Sequence, residues 1–184
     1  MDPTAPARPL TGVERFVEQD EILVSKTDLL GKLTYANGPF IHISGYSERE
    51  LIGQAHSIVR HPRMPRVIFK LLWSRIQAGE EIFAFVLNRS KNGDEYWVFA
   101  HVTPTIQNGK LVGYHSNRRN VNRAALPSVR ELYGQLLAEE QRHPGKQEGA
   151  AASERLLDDI LADRRIGYDE FVWSLESLAY EVAA

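Results

Sequence analysis

Cysteine is absent from this chain of 184 residues, and so is any long hydrophobic run. Without cysteine there can be no disulfide, no thiolate-bound metal and no cysteine nucleophile. No apolar run approaches the roughly 20 residues that a membrane-spanning helix needs. The proline-containing N-terminus also lacks the apolar segment of a secretory signal. These absences predict a cytoplasmic protein that does not insert into a membrane.

A strong net charge is also lacking, but the value of −2 conceals two unlike segments. Residues 1–123 hold 16 Lys and Arg against 12 Asp and Glu, whereas residues 124–184 hold 6 against 12. The split predicts two segments with different roles that touch each other or a partner. Because the chain is acidic overall and has no stripe of Lys and Arg, we do not expect it to bind nucleic acid. No nucleophile–base pair or carboxylate pair stands out, so we do not expect an enzyme.

What is present is a series of β-rich runs broken by turn residues. Strands are predicted over residues 21–27, 33–36, 82–88, 94–105 and 110–117. Asn92-Gly93 and Asn108-Gly109 separate the last three, and Asn-Gly between β-rich runs is the strongest short-range hairpin signal. A helical passage follows Asn37, and an apolar stripe over residues 67–76 predicts a longer helix that Gly79 ends. The order predicts an α+β fold, a five-stranded antiparallel sheet with helices on one face.

The two ends of the chain differ from this middle part. Residues 1–12 are predicted to be a disordered lead-in, and 13–17 a short helix within an N-terminal cap of residues 1–19. Residues 20–123 then form the sheet domain, and 124–184 form a helical extension. Three amphipathic helices are predicted there, with Ser128, Ser153 and Asp169 as caps and a loop over 146–150. Their apolar stripes need cover from one another, the sheet domain or a partner. We nevertheless expect a chain ending near Asn122 to fold.

The stretch over residues 56–104 carries a specific likeness. Its basic loop Arg60-His61-Pro62 leads into the long helix, and the strand after Asn92-Gly93 carries Tyr96-Trp97. In these residues it resembles the PAS sensory domains of bacterial aerotaxis transducers, which hold FAD. The resemblance covers about residues 20–122 and implies a PAS fold. It also implies flavin contact by the matching residues Asn37, Arg60, His61, Trp73 and Asn88.

This chain departs from the family pattern at two places. Arg63 stands where the family usually has an acidic residue. Ile82-Phe83-Ala84 stands where the family strand has an aromatic and small residues, which predicts extra bulk near the cavity. Three further cations, Arg118, Arg119 and Arg123, are expected to meet the acidic C-terminal helices or a partner rather than a ligand.

The resemblance implies a cytoplasmic redox or oxygen sensor that binds FAD and forms a homodimer. Such a protein would signal in trans to a chemoreceptor or a histidine kinase, because no output motif is recognisable here. Two alternatives stay open: a haem-based gas sensor with His61 or His56 as the axial ligand, and a cofactor-free adaptor. Trp73 could equally pack in the core, Asn37 could cap a helix, and His61 could bind only the backbone.

Overall fold

Five antiparallel strands form the centre of the molecule, in the order β2-β1-β5-β4-β3. The structure is a computed structural model that describes residues 9–181 and the side chains of residues 9–177. The strands are β1 Leu23–Thr27, β2 Leu33–Ala36, β3 Ile82–Arg89, β4 Glu95–Gln107 and β5 Lys110–Arg119. With the helices described below, this sheet confirms the predicted α+β fold.

Helices between β2 and β3 cover one face of the sheet. They are α1 (Gly38–Ser44), α2 (Glu48–Leu51), a 3₁₀ turn over His56–Val59, and α3 (Arg66–Gln77). The predicted capping box of α2 is present, with Ser47 and Glu50 bonding reciprocally. The apolar stripe of α3 is buried, as its spacing predicts, through Val67, Ile68, Leu72 and Ile76. Helix α3 therefore lies with one side against the sheet.

Both predicted hairpins are present, but their turns differ. Asn108 and Gly109 have φ of 50° and 73°, the two positive values of a two-residue hairpin turn. In the β3–β4 loop only Gly93 has positive φ, at 102°, because this loop spans residues 90–94. The β3–β4 register pairs Ile82 with Val102 through to Arg89 with Glu95. Side chains that alternate along β3 therefore face opposite sides of the sheet.

The predicted helix over residues 13–17 is wrong, because this segment runs extended beside β4. The N–H of Glu95 donates to the carbonyl of Val13 at 2.9 Å, and the N–H of Arg15 donates to the carbonyl of Glu95 at 2.7 Å. Strand β5 ends opposite Phe99, so the start of β4 has no β5 neighbour on that side and pairs with this segment instead. Of the predicted disordered lead-in, residues 1–8 lie outside the described residues, and Thr11 is hydrogen-bonded to Gly93.

The C-terminal extension forms three helices: α4 (Leu126–Gln141), α5 (Lys146–Arg164) and α6 (Tyr168–Glu181). The predicted loop over 146–150 is wrong, since α5 already begins at Lys146. A Cβ on Gly149 would lie 2.6 Å from the carbonyl oxygen of Glu140, so the glycine allows α4 and α5 to approach closely. In the described part of the chain, no helix is long and apolar enough to cross a membrane.

These helices share the core of the sheet domain. The hydroxyl of Tyr133 donates to the carbonyl of Phe85 on the edge strand β3 at 2.7 Å. The ring of Trp173 packs on Phe83 and Phe99, with centroids 4.7 and 5.6 Å apart. The extension thus covers the β3 edge and part of the sheet face opposite α3. Phe83 lies on that face, so the prediction of extra bulk near the cavity from Ile82-Phe83-Ala84 is wrong for Phe83.

Candidate ligand-binding cavity

A cavity of about 370 Å³ lies between α3 and the sheet. Pockets of roughly 300–1,000 Å³ are the usual size for small-molecule and cofactor sites. Most of its wall is apolar, contributed by Leu72, Trp73 and Ile76 of α3 and by Val86, Ala100, Val102 and Tyr114 of the sheet. The polar lining comes from a few side chains of β1, β3, β5 and the segment between α2 and α3, together with Lys70 of α3. An apolar slot with few polar groups suits a flat, largely aromatic ligand.

Asn88 is one of these polar groups. It lies near the end of β3, is only 2% exposed and lines the cavity. Its backbone pairs with Arg60, which holds the loop after the 3₁₀ turn against the sheet. The side-chain Nδ2 of Asn88 has no hydrogen-bond partner among the described residues. A buried amide without a partner is costly, so this donor is placed to bind an acceptor atom inside the cavity.

Arg118 is the second polar feature, and it is a buried cation. It is 2% exposed, and among the described side chains no carboxylate pairs with it. Its Nη2 donates to Ser25 Oγ at 2.6 Å, and its guanidinium lies 4.2 Å from the centre of the Phe40 ring. The Nε atom of Arg118 is also without a partner. Burial lowers the pKa of Arg118 to about 10, so it stays charged at neutral pH.

His56 completes the polar end of the cavity. Its Nε2 lies 3.1 Å from Ser25 Oγ and 3.3 Å from Arg118 Nη1. Burial, with the neighbouring Arg118 charge as the second cause, lowers the pKa of His56 to about 3. His56 is therefore neutral at physiological pH, and its Nε2 is placed to accept from the arginine. Ser25, His56 and Arg118 form one hydrogen-bonded group, here called the Arg118 group.

The cavity also brings together Arg60 and Trp73. The Arg60 guanidinium lies 4.3 Å from the centre of the Phe69 ring, and Nη2 donates to the carbonyl of Met64 at 3.2 Å. The Trp73 ring meets Tyr114 edge-on at 5.4 Å. It also lies directly against Gly31 of the β1–β2 turn, where a Cβ would come within 2.7 Å of it. Arg60, Trp73 and Asn88, all predicted from the resemblance, thus line one cavity.

Asn37 and His61 lie outside this lining. The side chain of Asn37 accepts from the N–H groups of Val24 and Phe40 and donates to the carbonyl of Ile22, which makes it a structural cap of α1. His61 is fully buried, and its Nδ1 accepts from the N–H of Arg63 at 3.1 Å. Flavin contact by Asn37 and His61 stays a prediction.

His61 belongs to a separate charged group with Glu95 and Arg63. Its Nε2 lies 3.5 Å from Glu95 Oε2, and Arg63 pairs with the same carboxylate. Burial lowers the pKa of His61 to about 4, although the Glu95 charge acts in the opposite direction. Arg63, the departure from the family pattern, therefore acts as the ion-pair partner of Glu95.

Sequence reasoning missed the Arg118 group and placed Arg118 with Arg119 against the C-terminal helices. That prediction is right for Arg119, whose Nη2 lies 2.7 Å from Glu176 of α6, and wrong for Arg118. Neighbouring residues of a strand point to opposite faces, so the two arginines cannot share a partner. The alternation was the signal that could have found Arg118. Arg123, the third of these cations, pairs with Glu14 of the N-terminal segment.

The matches to known proteins agree with this arrangement. Residues 33–118 match a family model described as the PAS fold. The chain therefore contains a PAS domain, a small sensory module in which helices and a five-stranded sheet enclose a cavity. Two solved structures support the fold alone. An RNA-binding Light-Oxygen-Voltage receptor has a TM-score of 0.52 at 20% identity, covering 65% of this chain and 35% of that one. The PAS domain of a Colwellia psychrerythraea protein has a TM-score of 0.50 at 22% identity, and the match covers 54% of this chain and 86% of that one.

The sequence of this chain is also similar to that of an aerotaxis receptor. It is 43% identical over 119 residues to the aerotaxis receptor of Escherichia coli (strain K12), covering 65% of this chain and 24% of the receptor. It is also 28% identical over 108 residues to the nitrogen fixation regulatory protein of Klebsiella pneumoniae, covering 58% and 22%. The chain spans about a quarter of the length of the curated relatives it matches. The likeness read from residues 56–104 is confirmed.

Proposed function

We propose that this chain is a redox or oxygen sensor that holds FAD in the cavity beneath α3. The observation that carries the proposal is the pair of buried, partly unpartnered donors, Asn88 Nδ2 and Arg118 Nε, at the wall of an apolar cavity. Both are donors, so the expected ligand presents acceptor atoms to them. The carbonyl and ring-nitrogen edge of an isoalloxazine has these acceptors, and its flat remainder suits the apolar walls.

The residues at the cavity opening fit the anionic arm of FAD. Arg60, Lys70 and Ser57 line the cavity, and the Lys70 side chain is half-exposed. A guanidinium and an ammonium are the side chains that bind phosphates most often. A bound flavin supplies a reversible change of charge and protonation on reduction. In the protein, the Arg118 group would respond to that change by redistributing its hydrogen bonds, since Ser25, His56 and Arg118 all share donors and acceptors.

Signalling in trans is part of the same proposal. Two similar proteins carry the names of signalling proteins: the aerotaxis receptor and the Blue-light-activated histidine kinase of Brucella anthropi. The kinase is 22% identical to this chain over 116 residues. We propose that this chain acts as a cytoplasmic homodimer and passes its state to a chemoreceptor or a histidine kinase. Its helical extension, packed on both the β3 edge and α3, is the surface through which the state would leave the PAS domain.

The geometry favours a flavin over haem. Axial ligation needs an imidazole with a free nitrogen directed into the cavity. His56 lines the cavity, but its Nε2 is shared by Ser25 and Arg118. His61 lies outside the lining, next to Glu95.

An absorption spectrum of the purified protein tests the proposal. We expect a yellow protein with the near-ultraviolet and blue absorption bands of an oxidised flavin, bleached reversibly by dithionite, and we expect heat to release FAD rather than FMN. Blue light should produce no flavin–cysteinyl adduct, since the sequence has no cysteine. A sharp Soret band would assign the cavity to haem. A colourless protein that takes up no added FAD would leave the adaptor function.

A further inference from the structure

The N-terminus of α3 receives no cap from its own segment. Pro65 stands at the N-cap position and makes no side-chain hydrogen bond, and the first turn contains no acidic residue. The first N–H groups of a helix have no partner within it and carry the positive end of the helix dipole. A helix that begins in this way needs an anion or an acceptor from elsewhere in the molecule.

Glu140, in the last turn of α4, occupies this position. Its Oε1 accepts from the N–H of Arg66 at 2.6 Å and from the N–H of Val67 at 3.1 Å. Its Oε2 lies 3.5 Å from Arg66 Nη1, and Glu140 is only 4% exposed. Hydrogen bonds to a charged acceptor are about twice as strong as neutral ones. Helix α4 thus holds the start of α3 through a buried carboxylate.

This contact differs from the other polar links between α3 and the extension. Lys70 pairs with Glu154 of α5 at 2.5 Å, and Arg75 pairs with Asp169 of α6 at 3.0 Å. Both of these acidic partners are solvent-exposed, and exposed ion pairs contribute about 0–1 kcal/mol. The Glu140 contact is therefore the strongest polar link between the extension and the helix that forms one wall of the cavity.

We propose that Glu140 is a positioning residue that links occupancy of the cavity to the packing of the C-terminal helices. Trp73 and Ile76, which line the cavity, lie on the same rigid helix that Glu140 holds at its start. A ligand that shifts α3 therefore changes the geometry at Arg66 and Val67, and α4 must follow or lose its hydrogen bonds. Linkage is reciprocal, so weakening the cap must also change ligand affinity. This inference rests on the proposed function, because the occupant is taken to be FAD.

The experiment compares the wild-type chain with Glu140→Gln and Glu139→Gln. Glu139 is a matched control: it is adjacent on α4 and carries the same charge, but it pairs with Arg142 and His143 at the end of α4. Amide hydrogen exchange is followed by NMR with and without saturating FAD, and FAD affinity is measured by titration. A glutamine keeps one acceptor oxygen and most of the volume, so the fold is expected to survive.

In the wild type we expect FAD to slow exchange both in α3 and in α4, residues 126–141. In Glu140→Gln we expect the Arg66 and Val67 amides to exchange about tenfold faster, which is the effect of 1.4 kcal/mol. FAD should still protect α3 in this variant, but the response of residues 126–141 should be lost. FAD affinity should fall by about fivefold, the low end of typical coupling. Glu139→Gln should match the wild type in every measurement.

Two results would overturn the inference: a wild-type FAD response confined to residues 20–122, or an unchanged response of residues 126–141 in Glu140→Gln. A wild type that takes up no FAD would instead overturn the proposed function, and the ligand linkage with it. The positioning role of Glu140 is then tested by amide hydrogen exchange of the ligand-free protein. Unchanged exchange over residues 66–77 in Glu140→Gln would refute that role.

Discussion

At the scale of single residues, Arg118 is a buried cation at the wall of the cavity, and no carboxylate of the described residues pairs with it. Desolvating a guanidinium costs several kcal/mol when no carboxylate accompanies it, and the Arg118 guanidinium instead contacts Ser25, His56 and the Phe40 ring. Arg60, Trp73 and Asn88 could be predicted because they lie in a recognisable stretch. For Arg118 the alternation along β5 shows only that Arg118 and Arg119 face opposite sides; which of the two faces the cavity is fixed by the pairing of β5 with β1 and β4.

The first residue-scale prediction is that Arg118→Gln abolishes flavin binding without weakening the ligand-free fold. The variant removes a buried cation that has no counter-ion, so the free energy of unfolding of the apo protein should stay within about 1 kcal/mol of wild type or increase. Arg119→Gln is the matched control, because Arg119 faces Glu176 on the other side of the sheet. We measure FAD content and urea unfolding of both. Full FAD content in Arg118→Gln would contradict the assignment of this residue.

The second residue-scale prediction concerns pH. The pKa values of His56 and His61 are lowered from the usual 6.5 to about 3 and about 4. Unfolding frees both imidazoles to bind protons below pH 6.5, whereas the folded state keeps them neutral. The contribution of the two neutral histidines to the free energy of unfolding is therefore complete above pH 6.5. It is lost as the pH falls toward 4 for His61 and toward 3 for His56, by at most about 1.4 kcal/mol per pH unit for each histidine.

Urea unfolding between pH 7.5 and 4.5 checks this pH dependence. As the pH is lowered over that range, the free energy of unfolding of the wild type should fall. The free energy of unfolding of His56→Gln should fall less steeply. The same slope in wild type and His56→Gln would show that His56 takes up its proton in the folded state.

At the scale of secondary-structure elements, local signals determined some features and neighbouring elements determined others. The Asn108-Gly109 turn and the capping box of α2 are set by a few adjacent residues, and both were predictable. The extended segment over residues 13–17 depends on a vacant side of β4, and the start of α5 depends on Gly149 packing against α4. Such contacts join residues far apart in sequence, so a local pattern does not contain them.

The element-scale prediction concerns the contact between the β1–β2 turn and α3. Gly31→Ala should lower both stability and flavin affinity, because its Cβ would lie 2.7 Å from the Trp73 ring and force Trp73 into the cavity. Gly109→Ala is the control: its φ of 73° matches the 74° of Gly31, but no atom lies within 4 Å of its added Cβ. The backbone strain is thus similar in both variants, and the difference between them isolates the Trp73 contact.

We measure thermal unfolding and FAD affinity of the two glycine variants together. The free energy of unfolding of both variants should fall by roughly 1 kcal/mol, because each places a side chain at positive φ. Only Gly31→Ala should also bind FAD more weakly. Equal FAD affinities would show that the ring of Trp73 can move without disturbing the ligand.

At the scale of the whole molecule, the sheet domain and the extension form one packed body. Leu132, Tyr133 and Leu136 of α4 and Phe171 and Val172 of α6 are buried in the same hydrophobic core as the strands. The charge split indicated that the two segments touch, and Arg66–Glu140, Arg75–Asp169 and Arg119–Glu176 are such contacts. The sequence could not tell whether the apolar stripes meet the sheet domain or a partner, because a stripe carries no information on what covers it.

The last prediction is that a chain ending at Asn122 loses solubility. The sequence alone suggested that it would fold, since the cavity residues all precede that point. The contacts indicate otherwise: removal of α4 and α6 leaves the carbonyl of Phe85 without the Tyr133 hydroxyl, and it bares Phe83 and Phe99 on the outer face. An edge strand with an apolar face is a site for aggregation.

Size-exclusion chromatography with light scattering of the chain ending at Asn122 should therefore show aggregates or an altered oligomeric state. Phe83→Thr with Phe99→Thr in the shortened chain should restore solubility and FAD binding, because the cavity lies on the other face. A shortened chain that is soluble and as stable as the full chain would show that the extension is not required by the PAS core.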